Sequence, residues 1–389
     1  MGHRAAVVGA GHTRFGVLPD GPRALLRTAV DAAFASVDRG LDRGSVDAVF
    51  LASLGFGGWQ IGNAAALAAE EAGAPGARAV HVENACASGG FAIHAAVDAI
   101  ASGGAEVALV VGLEKMNDVT NARRRYWLGV SGDTEWERPA GLTFAGVYGL
   151  IASRYLALHR VGPEALAEVA VKNHANGALN PNAHFQKTVD RAAVLGAPRV
   201  ADPLGLYDCC PVSDGAAALV ITSPEAARRY TDAPVYIDGL GAASDVLAVQ
   251  EREEPTQFGA TRRAGDAAFR AAGVDRGAMS FLELHDCFTI AELLALEDLG
   301  FCARGGAGPL TLSGATRRGG RLPVNPDGGL KSKGHPIGAT GVSQAYEVFV
   351  QLRGAAGARQ VENATRALTH NVGGAGATAA VTIFSTEEA

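Results

Sequence analysis

The stretch Asn84-Ala-Cys86-Ala-Ser-Gly-Gly-Phe-Ala-Ile-His-Ala-Ala-Val-Asp-Ala-Ile-Ala101 decides the fold. It follows a short β-prone run at residues 80–82. Its spacing predicts a helix over residues 88–101 whose only formally charged residue is Asp98. A surface helix carries a polar face, so a helix this free of charge is buried all round and runs through the middle of the molecule. Strand, glycine-rich turn and buried helix in succession indicate an α/β protein with covered sheets.

The alternation continues on both sides. Strands are expected at residues 5–8, 48–51 and 106–112, and helices at 23–37 and 64–72. The opening Ala6-Val-Val-Gly9-Ala-Gly11 has a loose echo at Tyr236-Ile-Asp-Gly239-Leu-Gly241. Each is followed by a helix and a strand, and in each half a glycine-rich turn then opens a buried helix, at Cys86-Ala-Ser-Gly-Gly and at Gly334-His335-Pro-Ile-Gly. The reading is two similar halves, residues 1–230 and 231–389. An insertion at about 116–200 interrupts the first; it is richer in charge, Trp, Tyr, His and Asn, and long insertions of this kind carry binding surface.

Composition narrows the function. The 34 Lys and Arg stand against 40 Asp and Glu, for a net charge of −6, and the basic residues are scattered, so nucleic acid is not an expected partner. No apolar run approaches the roughly 18 residues of a membrane span. The N-terminus lacks the long apolar core and cleavage site of a signal peptide, and the C-terminal Ser-Thr-Glu-Glu-Ala has no peroxisomal tripeptide or prenylation box. Five cysteines, odd in number and without CxxC pairs, describe neither a disulfide framework nor a zinc ribbon. A cytoplasmic protein with no metal is expected. A dinucleotide reading of Gly9-Ala-Gly11-His-Thr-Arg14 fails because Arg14 stands at the third glycine position and no acidic residue follows at a fitting distance.

Four places can carry chemistry. Cys86 precedes a helix N-terminus, where backbone N–H groups favour a thiolate. His285-Asp-Cys287-Phe ends a strand, at the edge where α/β sites collect. His335, held extended by Pro336, stands at the mouth of the second small-residue helix. His370-Asn371-Val-Gly373-Gly offers backbone N–H groups to an oxyanion.

Taken in order, Asn84-Ala-Cys86-Ala-Ser-Gly-Gly, His285-Asp-Cys287-Phe, Asn325-Pro-Asp-Gly-Gly, Gly334-His335-Pro-Ile-Gly-Ala-Thr-Gly and His370-Asn371-Val-Gly373-Gly resemble the thiolase superfamily, and within it the sterol carrier protein type of thiolase. The resemblance spans nearly the whole chain. It implies a thiolase-like fold: two βαβαβαββ halves in a layered α-β-α-β-α core, with the insertion as a loop domain.

It also implies an acetyl-CoA C-acyltransferase that uses CoA as a co-substrate, with acyl-CoA and 3-ketoacyl-CoA as its other partners and no permanently bound cofactor. Cys86 would be acylated, His335 would activate it and Cys287 would carry the α-carbon or thiol proton. His285 with His335 would form one oxyanion hole, and the N–H groups of Cys86 and Gly373 the other. Larger thiolase groups place the acid/base cysteine in Cys-x-Gly, where this chain has Asn371-Val-Gly373; Asn371 is therefore read as orienting. Arg123, Arg124, Arg125, Lys172 and Lys187 are candidates to meet the CoA phosphates, and Cys209 and Cys210 receive no role. A homodimer is expected, and independent lipid transfer is not. The alternatives are a retro-aldolase or carbon acyltransferase working with a small OB-fold partner protein, and a non-catalytic scaffold, which the retained Cys86 opposes.

Overall fold

The helix expected over residues 88–101 forms there in the computed structural model, which describes residues 4–387. Residues 388 and 389 of the C-terminal pentapeptide lie outside the described residues. The first half runs β1 (Ala5–His12), α1 (Pro22–Ala35), β2 (Ala48–Ala52), α2 (Ala64–Glu71), β3 (Arg78–Val82), α3 (Ser88–Ala101) and β4 (Val107–Glu114). After it come α4 (Asn121–Gly129), α5 (Phe144–His159), α6 (Glu164–Gly177), α7 (Arg191–Leu195), β5 (Arg199–Ala201) and β6 (Leu204–Gly205), then β7 (Gly215–Thr222) and α8 (Pro224–Ala227). The second half runs β8 (Val235–Ser244), α9 (Gly259–Ala272), β9 (Phe281–Glu283), α10 (Thr289–Asp298), α11 (Ala307–Leu312), α12 (Gly329–Ser332), α13 (Thr340–Leu352), β10 (Arg366–Gly373) and β11 (Thr378–Ser385).

Nine strands form one sheet in the order β3-β2-β4-β7-β1-β8-β11-β10-β9. The seam between the halves is an antiparallel pairing of β1 with β8, from Ala5 opposite Ile237 to Val7 opposite Val235. The second half departs from the expected repeat at its third strand, which shrinks to a single parallel bridge between Leu282 and Val324. The chain turns away there into Asn325-Pro-Asp, so the strand's place becomes a loop next to the His285 turn.

Period-two alternation sorts the apolar side chains into layers. Ala48, Phe50 and Ala52 of β2 face a central cluster with α3 and α13, whereas Val49 and Leu51 face α1 and α2. On β11, Phe384 joins the central cluster while Val381 and Ile383 face α9 and α10. Each Val, Leu, Ile or Phe buried in this way contributes about 1.5–3 kcal/mol. The two halves of this one sheet bury α3 and α13 between them and carry α1 and α2, or α9 and α10, on their outer faces, the layered order expected.

Glycines set how closely these layers approach. A Cβ at Gly11 would lie 2.1 Å from the Ala29 carbonyl of α1, and one at Gly241 would lie 1.9 Å from the Ala264 carbonyl of α9. The echoed Gly-x-Gly pairs therefore do the same work in each half: they let a helix lie directly on its strand. At the centre, a Cβ on Gly89 would lie 2.8 Å from the Gly341 nitrogen, so α3 and α13 meet backbone to backbone.

Candidate active site

The α3–α13 contact brings the two glycine-rich turns together. Cys86 stands just before α3, after Ala85, whose φ of +49° lies in the left-handed region that a residue with a side chain rarely enters. That strain is held by Glu83, whose Oε1 accepts from the Ala85 N–H at 2.6 Å, and by Ser88, whose hydroxyl accepts from the Asn84 N–H and donates to the Ala85 carbonyl. The sulfur opens onto a cavity of about 900 Å³ and is otherwise enclosed by protein. Burial, then the neighbouring Cys287 and Glu114, push its thiol well above the ordinary range, so the helix N-terminus does not hold a resting thiolate. A backbone N–H that favours the anion does reach it, from Gly374.

His335 Nε2 lies 3.3 Å from the Cys86 sulfur. Its tautomer follows from the hydrogen bonds behind it. Thr340 Oγ1 donates to the Pro336 carbonyl at 3.0 Å, so its contact with His335 Nδ1 at 2.7 Å has the imidazole as donor. Nε2 then presents a lone pair to the thiol. Burial and Lys333 push His335 down to about 3, so the ring is neutral at rest.

His285 is set the opposite way. The Gly90 N–H donates to Asn371 Oδ1 at 3.0 Å, which fixes the amide so that Nδ2 donates to His285 Nδ1 at 3.2 Å. The hydrogen of His285 therefore sits on Nε2, a buried atom without a protein partner. The ring stands edge to face with His335, centroids 5.2 Å apart. Cys86, His285 and His335 offer donor atoms within 4.8 Å of one another, a spacing a metal ion could use. The hydrogen on His285 Nε2 makes that atom a donor toward an anion instead of a metal ligand.

The turn carrying Cys287 is anchored through Asp286, whose carboxylate accepts from the Leu330 and Lys331 N–H groups at 2.7 and 3.2 Å and from Asn173 Nδ2 at 2.7 Å. Burial and the Glu292 carboxylate push Asp286 up to about 7. Cys287 itself is buried, lines the cavity and is pushed up to about 12, chiefly by desolvation, so it is a thiol at rest.

Gly373 ends β10 opposite Thr378 and packs against the Cys86 turn, and next to it in the cavity wall the Gly374 N–H acts on the Cys86 sulfur. Other expectations are corrected. Lys172 is buried, ion-paired with Glu292 at 3.1 Å and bonded to the Val324 carbonyl at 2.9 Å, so it faces no phosphate. The Arg123 guanidinium donates to the Gly57 and Gly58 carbonyls, and that of Arg124 to Asn117 and Asn121. Neither residue lines the cavity, nor does the exposed Lys187; Arg125 and Arg138 do. Cys209 and Cys210 line it too, and so does Tyr148, which no motif announced.

Two family models match the chain: "Thiolase, N-terminal domain" over residues 5–225 and "Thiolase C-terminal domain-like" over residues 241–386. An acetyl-CoA acetyltransferase of Methanothermobacter thermautotrophicus is 42% identical over 382 residues, 98% of this chain and 99% of that protein. Sterol carrier protein 2 of Gallus gallus is 33% identical over 327 residues, 80% of this chain and 59% of that protein. Among solved structures, the Ltp2-ChsH2(DUF35) aldolase superposes with a TM-score of 0.85 at 26% identity, over 98% of this chain and 97% of that one. The chain belongs to the thiolase family, and its relatives include the sterol carrier protein type to which the His285-Asp-Cys287 turn pointed.

Proposed function

We propose that this protein is a thiolase-type acyltransferase that cleaves 3-ketoacyl-CoA with CoA, or runs the reverse Claisen condensation, through an acyl-Cys86 intermediate. The observation that carries this reading is the pairing of the Cys86 thiol with a lone pair on His335 Nε2 at 3.3 Å, at the floor of a cavity that Cys287 also lines.

In cleavage, the Cys86 proton passes to His335 Nε2 as the sulfur attacks the 3-keto carbon. The N–H groups of Cys86 and Gly374 stabilise the alkoxide. The C2–C3 bond breaks, its electron pair goes to C2, and the resulting enolate oxygen is met by His285 Nε2–H and the newly protonated His335 Nε2–H. The Cys287 thiol protonates C2, releasing acetyl-CoA. The Cys287 thiolate then takes the proton of CoA, whose sulfur attacks the acyl-Cys86 thioester. Cys86 leaves and recovers its proton from His335. CoA is a co-substrate here, and no bound cofactor takes part. Arg125 and Arg138 are the basic residues with support for meeting its phosphates.

The test is CoA-dependent cleavage of acetoacetyl-CoA and of a longer 3-ketoacyl-CoA by the purified protein. Loss of the 3-ketoacyl thioester with matching release of acetyl-CoA is expected. A folded protein that binds CoA and cleaves neither substrate would sink the reading.

Asn371 supplies a sharper prediction. Asn371→Asp keeps the shape but turns the donor facing His285 Nδ1 into an acceptor, drawing the hydrogen onto Nδ1 and leaving Nε2 a lone pair. Loss of one oxyanion donor should lower kcat by about 10²–10³-fold with little change in KM. A change under about threefold in steady-state kinetics would show that the tautomer does not matter.

The domain reading stands as proposed: halves at 1–230 and 231–389, with the insertion at about 116–200. A homodimer is supported by β3, an edge strand whose only ladder partner among the described residues is β2 and which exposes Val80 at 38%. The small OB-fold partner draws its support from the two-component composition of the Ltp2-ChsH2(DUF35) aldolase. A cytoplasmic location is consistent with five free cysteines, and no helix among the described residues is long and apolar enough to cross a membrane.

A further inference from the structure

Tyr148 reaches the site from α5, inside the insertion, and is 1% exposed. Its ring is fixed, stacked on Phe288 at 4.6 Å and meeting Phe258 edge-on at 6.2 Å. Only its hydroxyl hydrogen is free to turn. That hydroxyl donates to the Gly374 carbonyl at 3.2 Å; it lines the same cavity as the Cys287 sulfur and favours that sulfur's anion. A phenol has one hydrogen, so it serves these two acceptors in alternation.

Cys287 is a poor acceptor as a thiol and a strong one as a thiolate. The titratable groups that act on it besides Tyr148 include Asp286, Cys86 and Cys210, and His335, protonated once Cys86 has attacked, lines the same cavity. Arg252 faces Tyr148 and bonds the Ala375 carbonyl. A Cys287 thiolate formed during turnover meets the backbone N–H groups of Cys287 and Phe288 and, as a side-chain donor, the Tyr148 hydroxyl. We propose that Tyr148 is a positioning residue: its hydroxyl holds the Gly374 turn while Cys287 is a thiol and swings to the sulfur when Cys287 becomes a thiolate. The inference rests on Cys287 as the proton carrier.

Tyr148→Phe keeps the ring and removes the hydroxyl. The measurement is the pH dependence of iodoacetamide alkylation at Cys287, read by peptide mass spectrometry in a Cys86→Ser background. The curve should move up by about one pH unit or more, which at a fixed pH below the midpoint is about a tenfold slower alkylation. With Cys86 intact, thiolysis should fall about 10- to 100-fold while the amplitude of Cys86 acylation stays. Incorporating 3-fluorotyrosine at position 148, a more acidic phenol, should move the alkylation curve down. An unmoved curve in both proteins, with Cys287 still required for turnover, would overturn the role of Tyr148 alone. Full turnover by Cys287→Ala would overturn the proton-carrier reading and this inference with it.

Discussion

Cys86→Ala is expected to abolish the acyl-enzyme and to lower cleavage of acetoacetyl-CoA by on the order of 10⁴-fold or more. His335 then has no thiol to deprotonate, and the two backbone donors at Cys86 and Gly374 surround an empty position. Those donors survive the substitution because they belong to the main chain, so the variant should still bind CoA. Intact-mass measurement after incubation with acetyl-CoA checks it: the wild type should gain the mass of one acetyl group and the variant none. An adduct that persists on another residue of Cys86→Ala would move the nucleophile elsewhere.

Cys287→Ala should separate the nucleophile from the proton carrier. The Cys86–His335 pair does not depend on the Cys287 side chain, so acetyl-CoA should still acylate Cys86 to the same final extent, at a rate lowered by the same factor as the reverse step. Return of the acyl group to CoA, and protonation of C2, lose their general acid and base and should slow by about 10³–10⁴-fold. Rapid-quench measurement of acyl-enzyme formation and decay would show accumulation of the acetylated protein. Turnover at the wild-type rate would assign the proton to another group lining the cavity, with Cys210, whose N–H donates to the Cys287 carbonyl at 3.0 Å, the first thiol to examine.

The sequence displayed the fold through its anomalies. A nearly uncharged helix at residues 88–101 had to be central, and it is. The Gly9-Ala-Gly11 and Gly239-Leu-Gly241 pairs could be matched as text, but their cause, a helix carbonyl about two ångströms from where a Cβ would stand, exists only after α1 and α9 are docked. That Cys86, His285, Cys287, His335 and Asn371 lie close together was legible because tight turns need glycines, and those glycines drew attention to their neighbours. That the Gly374 N–H acts on the Cys86 sulfur was not legible, because β10 runs on through Gly373 in a ladder register that no local pattern reveals. Tyr148 sits among the apolar residues of α5 and reads as core. The arginines and Lys172 were misread because charge in a sequence resembles exposure; Lys172 is instead neutralised inside the protein by Glu292.

The meeting of α3 and α13 at Gly89 and Gly341 divides the labour of this protein. The gap between Cys86 and His335 is set by two backbones in contact, whereas much of the cavity wall, including Tyr126, Leu128, Leu142 and Phe144, comes from the segment between β4 and β7. Substrate range is thereby uncoupled from reactivity. An engineer can recut the mantle to admit a longer or branched acyl chain while the reacting pair stays on an unchanged chassis. By the same logic, a methyl group added at Gly89 would disable every substrate alike.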